Sequence, residues 1–229
     1  APRGIKVGQG AEKYRFYFNA LLTLERETRH MAEIISSIGE QVFGPGFDTT
    51  HRPYSLVDDP ASVQRVELFL ALCAPGPIIV NASAGSRSRQ PTFAQLRGLI
   101  SAVRMRTQKT IIVTSAPGQE SLRESLVRSE SDPGVIGFPL EGAATFADMV
   151  ALIRRCRALI TPDTSLVHVA GATLTPLLGI YTTAFSLAEW APRNTISEIV
   201  LGENDRPLSE MPVASMMEGF ERLMRRMPK

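Results

Sequence analysis

Residues 158–181 read ALITPDTSLVHVAGATLTPLLGIY. The run ALIT (158–161) is short, apolar and β-branched, and it stops at Pro162, because proline disfavours an α conformation in the residue before it. A helix of small residues follows and closes at Thr175-Pro176. LLGIY (177–181) is then a second apolar run. Strand, turn, helix and strand in one stretch make a βαβ unit, the building block of a parallel sheet.

The same alternation continues on both sides. PIIVNA (77–82), TIIVTS (110–115), GVIGF (134–138) and TISEIVL (195–201) are further strands. Between them TFAQLRGLISAVRMRT (92–107) places Phe93, Leu96, Leu99, Ile100 and Val103 on one helical face. ESLRESLVRS (120–129) is a polar-faced helix, and PVASMMEGFERLMRR (212–226) is a terminal one. In TFADMVALIRRCR (145–157), Thr145 caps a helix and Asp148 stands at the capping-box spacing, while Phe146, Met149, Val150 and Ile153 follow the 3.6 period. The expected fold is α/β: a Rossmann-like parallel sheet with helices on both faces. Ligands in such sheets bind at the carboxyl ends of the strands. The loops to watch are therefore 82–91, 115–120, 139–145, 161–165 and 182–192, with 182–192 read as a loop throughout.

Residues 1–65 have a different texture. KYRFYFNALLTLERETRHMAEIISSIGE (13–40) reads as helix with Gly39 as its C-cap, and the Gly/Pro/Asp-rich VFGPGFDTTHRPYSLVDDP (42–60) reads as a linker. No first strand is expected near the start, so residues 1–65 are taken as the tail of a preceding N-terminal domain plus linker, and 66–229 as the binding domain. VGQGAEK (7–13) begins like a dinucleotide fingerprint, but Lys13 stands at the third glycine and no strand–turn–helix context is expected there.

Composition narrows the class. Of the 229 residues 44% are hydrophobic, enough for a core rather than a disordered chain. A formal charge of +2 gives no reason to expect nucleic acid. Cys73 and Cys156 lie far apart in apolar surroundings and read as buried thiols. The apolar run 66–80 is too short to span a bilayer and is broken by Pro75 and Pro77. Three scattered histidines offer no metal spacing.

The chemistry concentrates on the opening stretch. Asp163 is a favoured N-cap for a helix running from Thr164. The backbone amides of Thr164, Ser165 and Leu166 then face outward at the positive end of the helix dipole, where they can hold a phosphate or pyrophosphate. His168 shares a face with Thr164. The structural alternative is a plain cap and a satisfied core histidine. NASAGSRSRQP (81–91) adds Arg87 and Arg89 on the same sheet edge, and guanidinium groups recognise phosphate; the alternative is a solvated loop. Glu120 follows the next strand and either accepts from ribose hydroxyls or is a first-turn acid matching the dipole. Trp190 packs on a ligand or serves as a structural plug.

Taken together, LITPDTSLVHVAGATLTPLLGIYT, IIVNASAGSRSRQP, TIIVTSAPGQE, EGAATFADMVALIRRCRALIT and EWAP resemble glycosyltransferase family nine, the lipopolysaccharide heptosyltransferases and their relatives, over about residues 66–192. The resemblance implies the C-terminal half of a GT-B fold that binds a nucleoside-diphosphate sugar, ADP-heptose favoured, with no cofactor and no metal. It puts Asp163 on sugar hydroxyls, the amides of Thr164, Ser165 and Leu166 on the pyrophosphate, His168 beneath that helix start, Glu120 near the ribose and Ala144 beside the adenine. Three positions depart from the family pattern. Ser165 replaces a common glycine, Ser88 falls where a donor-binding lysine belongs, with Arg87 or Arg89 as substitutes, and Gln90 replaces a common tryptophan.

The implied reaction is an inverting, metal-independent transfer to a lipid-linked or lipopolysaccharide-type glycan acceptor at the cytoplasmic membrane face. Its catalytic aspartate belongs to the N-terminal domain, so no catalytic residue is assigned in this chain. The basic FERLMRRMPK (220–229) is a solvated helix end or a peripheral contact with anionic lipid. Two other readings stay open: a stand-alone module binding a nucleotide or sugar phosphate, and a GT-B-like sugar epimerase.

Overall fold

A computed structural model describes residues 7–9, 20–22, 29–44, 55–203 and 205–228. The chain divides into two units. One comprises Ala1–Arg52 with Leu187–Ala191, the other Pro53–Ser186 with Pro192–Lys229.

In the first unit, β1 (Val7–Gln9) pairs in parallel with β2 (Ala20–Leu22). Both depart from the sequence reading. A strand does stand near the start, and it opens the VGQGAEK stretch whose strand context was not expected; the segment after it lies outside the described residues. The helix expected over 13–40 is interrupted by β2, and the helix that forms, α1 (Met31–Phe43), starts later and runs past Gly39 to a C-cap at Gly44. Gly44 has φ +89°, a conformation glycine adopts without penalty, whereas Gly39 is buried within the helix. His30 caps α1 by accepting from the Ala32 amide, and its Nε2 lies 3.0 Å from the Ala191 carbonyl.

The second unit opens with α2 (Pro60–Leu70), capped by Asp59 and started by a proline at its first position. The expected domain boundary at 65/66 falls inside this helix. Six parallel strands follow: β3 (Ile78–Asn81), β4 (Ile111–Thr114), β5 (Val135–Gly137), β6 (Ala158–Pro162), β7 (Leu177–Tyr181) and β8 (Ser197–Leu201). Between them run α3 (Phe93–Thr107), α4 (Glu120–Ser129), α5 (Phe146–Arg155), α6 (Ser165–Thr173) and α7 (Ala184–Trp190), and α8 (Val213–Arg226) ends the chain. The order in the sheet is β5-β4-β3-β6-β7-β8. The chain builds outward from β3 to β5, crosses back, and builds the other way from β6. The carboxyl ends of β3 and β6 therefore flank the reversal point, where α/β sheets hold ligands.

Both sheet faces are buried, and the strands show it residue by residue. Ile78 and Val80 of β3 join a core with α3 and α8, while Ile79 joins a core with α2, α5 and α6. Ile111, Val113 and Ile112 of β4 divide the same way. This explains strands that read as continuous apolar runs. The capping boxes at Thr92/Gln95 and Thr145/Asp148 both form. Two residues assigned to buried helical faces are not buried. Phe93 is 41% exposed and Phe146 58%, because each is the first helical residue, where the periodic face has not yet turned onto the sheet. Cys156 is buried and Cys73 half-buried.

Candidate functional site

The loops after β3 and β6 meet at the reversal point. Asn81 ends β3, and its side-chain amide donates to Thr161 Oγ1 of β6 at 2.9 Å and to the Ser83 carbonyl at 3.0 Å. The Thr161 hydroxyl lies 3.1 Å from Thr164 Oγ1, so the strand ends and the start of α6 form one bonded chain. Gln90 fastens the loop between β3 and α3. Its Nε2 donates to the Ala82 carbonyl at 2.7 Å and its Oε1 accepts from the Ala84 amide at 2.9 Å.

The cap of α6 is Thr164, not Asp163. Thr164 is extended at φ −144° and ψ 173°, its Oγ1 accepts from the Leu166 amide at 3.3 Å, and the helix starts at Ser165. The Leu166 amide is thus occupied by the cap itself, which corrects the expected set of three outward amides. Among the described residues the Thr164 and Ser165 amides have no hydrogen-bond acceptor.

Asp163 is 4% exposed and has another task. Arg89 Nη1 donates to Asp163 Oδ2 at 2.9 Å and to the Asp163 carbonyl at 2.7 Å, and Arg89 Nε donates to Ser86 Oγ at 3.0 Å. The Ser186 hydroxyl, at the start of α7, donates to the same Oδ2. One carboxylate oxygen is therefore held by a guanidinium from the 3₁₀ turn after β3 and a hydroxyl from α7. Tyr181, fully buried at the end of β7, has its phenol pushed upward from the ordinary range, first by burial and second by the Asp163 charge.

The other expected residues occupy the same sheet edge with differing engagement. Arg87 sits in a 3₁₀ turn with Arg89 and is exposed. Glu120 is the first residue of α4; its carboxylate accepts from the Gly118 amide at 2.9 Å, and that amide, then its own, hold it below the ordinary carboxylate range. Those bonds match the first-turn-acid reading. Ala144 is half-buried against the core that contains α5, just before the Thr145 cap. Ser165 is exposed, and Leu166 and His168 are half-buried on α6. The segment 182–192 is not a loop throughout, because α7 occupies most of it; Trp190 is half-buried at its end.

Sequence reasoning missed Ser186, Asn81 and Thr161. The available signal was the hydroxyl-rich TTAFS (182–186) directly after an apolar strand, and an asparagine closing another. Also on this edge, Thr114 Oγ1 and Ser115 Oγ at the end of β4 are buried without a hydrogen-bond partner among the described residues. An outward helix start, a buried carboxylate beside it and an exposed arginine are groups able to hold an anionic ligand that also carries hydroxyl groups.

The family described as Glycosyltransferase family 9 (heptosyltransferase) matches residues 93–212. No curated protein is a significant sequence match. Among solved structures, the glycosyl transferase family 9 from Veillonella parvula DSM 2008 superposes with a TM-score of 0.79 at 18% identity, over 98% of this chain and 68% of that one. The E. coli ADP-heptose lps heptosyltransferase II gives 0.72 at 14% identity, over 96% and 70%. The E. coli heptosyltransferase WaaC with ADP gives 0.66 at 14% identity, over 97% and 66%. The chain therefore spans about two thirds of each of these proteins. At such identities the likeness establishes the fold, and the family match is independent of it. This chain belongs to glycosyltransferase family 9.

Proposed function

We propose that this chain is the donor-binding part of an inverting, metal-independent glycosyltransferase that moves a heptose-like sugar from an ADP-sugar to a lipopolysaccharide-type glycan. The observation that carries the reading is the start of α6 at the sheet reversal, with Asp163 clamped beside it. The pyrophosphate lies against the Thr164 and Ser165 amides and the positive end of the helix dipole. Arg87 adds an exposed positive charge to the diphosphate, and the helix start and Arg87 together stabilise it as it leaves. Asp163, with Oδ2 already committed to Arg89 and Ser186, offers Oδ1 to sugar hydroxyls. Glu120 lies near the ribose, Ala144 beside the base, and His168 supports the helix start. The acceptor and the base that deprotonates it belong to the N-terminal part of the enzyme, which acts in the cytoplasm at the inner membrane face. That WaaC is known with ADP and with ADP-2-deoxy-2-fluoro heptose supports the donor class.

Calorimetric titration of the chain with ADP and with an ADP-sugar tests this. Asp163→Ala is expected to lose roughly tenfold or more in affinity for the ADP-sugar and only about twofold for ADP, the size of one lost charge-assisted bond. Asp163→Asn, which keeps the shape, is expected to fall between them. Equal losses for both ligands would make Asp163 a structural group only. A folded sample that binds no nucleoside diphosphate would remove the reading altogether.

A further inference from the structure

The donor crevice lies at the carboxyl ends of the strands, and a second concavity lies at the opposite end of the same unit. It has a volume of about 580 Å³ and is lined by Arg106, Thr107, Lys109, Arg157, Glu221, Met224 and Arg225. That volume falls within the range of small-ligand sites. Lys109 precedes β4 and Arg157 precedes β6, the two neighbours of β3 in the sheet. Between them the chain enters β3 through Gly76 at φ +69°, where an added Cβ would stand 3.7 Å from Arg157 and 3.8 Å from Lys109 Nζ. Arg106 comes from the end of α3 and Arg225 from the end of α8.

Four cationic side chains from three stretches of chain thus line one concavity, with Glu221 as the carboxylate among its described lining residues. Glu221 pairs loosely with two of them, at 3.4 Å to Arg106 and 4.0 Å to Arg225. Lys109 Nζ donates to the Pro75 carbonyl and Arg157 Nη2 to the Pro228 carbonyl, both neutral acceptors that do not cancel the charges. Helix-dipole compensation accounts for Arg106 and Arg225, which lie in last turns. It does not account for Lys109 and Arg157, which lie outside the helices. Four cations around the Glu221 carboxylate leave an excess of positive charge at this end of the sheet, which attracts an anion.

We propose that this concavity is a second anion site that takes a phosphate-bearing ligand, independent of the donor crevice. Guanidinium and ammonium groups arranged around one space match phosphoryl oxygens, by bidentate bonds from the arginines and a point charge from Lys109.

The test uses the full chain and the double variant Arg106→Gln/Arg225→Gln, which alters only exposed side chains and leaves the Lys109 and Arg157 bonds intact. Inorganic pyrophosphate is titrated calorimetrically with excess ADP present to occupy the donor crevice, and vesicles of phosphatidylcholine with and without phosphatidylglycerol are co-sedimented. The expected result is a loss of roughly tenfold or more in the variant for one of the two probes, with ADP titration unchanged and thermal unfolding within about two degrees of the parent. Loss of pyrophosphate binding assigns a soluble phosphate ligand, and loss of binding to phosphatidylglycerol vesicles assigns a lipid headgroup. Absence of both interactions in the parent chain, or equal binding by both proteins, overturns the proposal. Failure of ADP to bind in either protein bears on the donor crevice alone.

Discussion

Asp163 shows how one residue's surroundings decide its role. Its position after a strand and before a helix gives it the appearance of a cap, and Asp is among the favoured caps. Thr164 takes that role instead, because its hydroxyl reaches the Leu166 amide from an extended backbone. That leaves the Asp163 carboxylate for Arg89 and Ser186. Removing the serine hydroxyl leaves one carboxylate oxygen with the guanidinium alone. Ser186→Ala is therefore expected to cost about 1–2 kcal/mol in stability and to weaken ADP-sugar binding more than ADP binding. Urea denaturation and calorimetry read the two effects, and a variant with parental values in both would show that Ser186 does not hold Asp163.

At the scale of elements, helices and strands were legible because each carries a local signal. The capping boxes at Thr92 and Thr145 are written in adjacent residues, and the strands in apolar runs too short for helices. The first unit was misread because β2 is only three residues long and lies inside a helix-like composition. Its pairing with β1 is a non-local choice, and local propensity yields to it. Close packing is equally invisible from the chain. A Cβ added to Gly219 in α8 would sit 2.5 Å from Val200 Cγ2 and 2.9 Å from Leu178 Cδ1. Gly219→Ala gains about 1 kcal/mol of helix propensity but overpacks by about 1–3 kcal/mol. Net destabilisation is the expected outcome in chemical denaturation. Unchanged or raised stability would mean that α8 shifts freely away from β7 and β8.

For the whole molecule, a set of carboxylates links distant segments. Burial by itself would raise Asp58, but Arg154 and Arg155 outweigh it and hold it below the ordinary range. Burial likewise opposes the lowering of Asp148, and the Thr145 hydroxyl and amide with Arg65 prevail. Arg226 first, and then Arg222 against a burial penalty, lower Glu198; Arg104 and the Gly134 amide lower Asp132. Folded values below the unfolded ones mean stability that is fully present above the ordinary carboxylate range, near about pH 4, and lost as pH falls through the folded values. Thermal unfolding is expected to be flat from about pH 7 to 5 and to fall steeply below about pH 4. A flat profile down to pH 3 would show that these pairs contribute nothing to folding.

The sequence by itself determined the βαβ alternation, the two-faced burial of the strands and the family, because these rest on periodicity and on motifs within a few residues. Only the tertiary structure decided the strand order β5-β4-β3-β6-β7-β8, the reversal between β3 and β6, and the clamp of Arg89 and Ser186 on Asp163. It also decided that four cations meet at the far end of the sheet. The reason is physical: capping bonds and apolar periodicity act along the chain. Which loops converge depends on how the strands order themselves once both faces of the sheet must be buried.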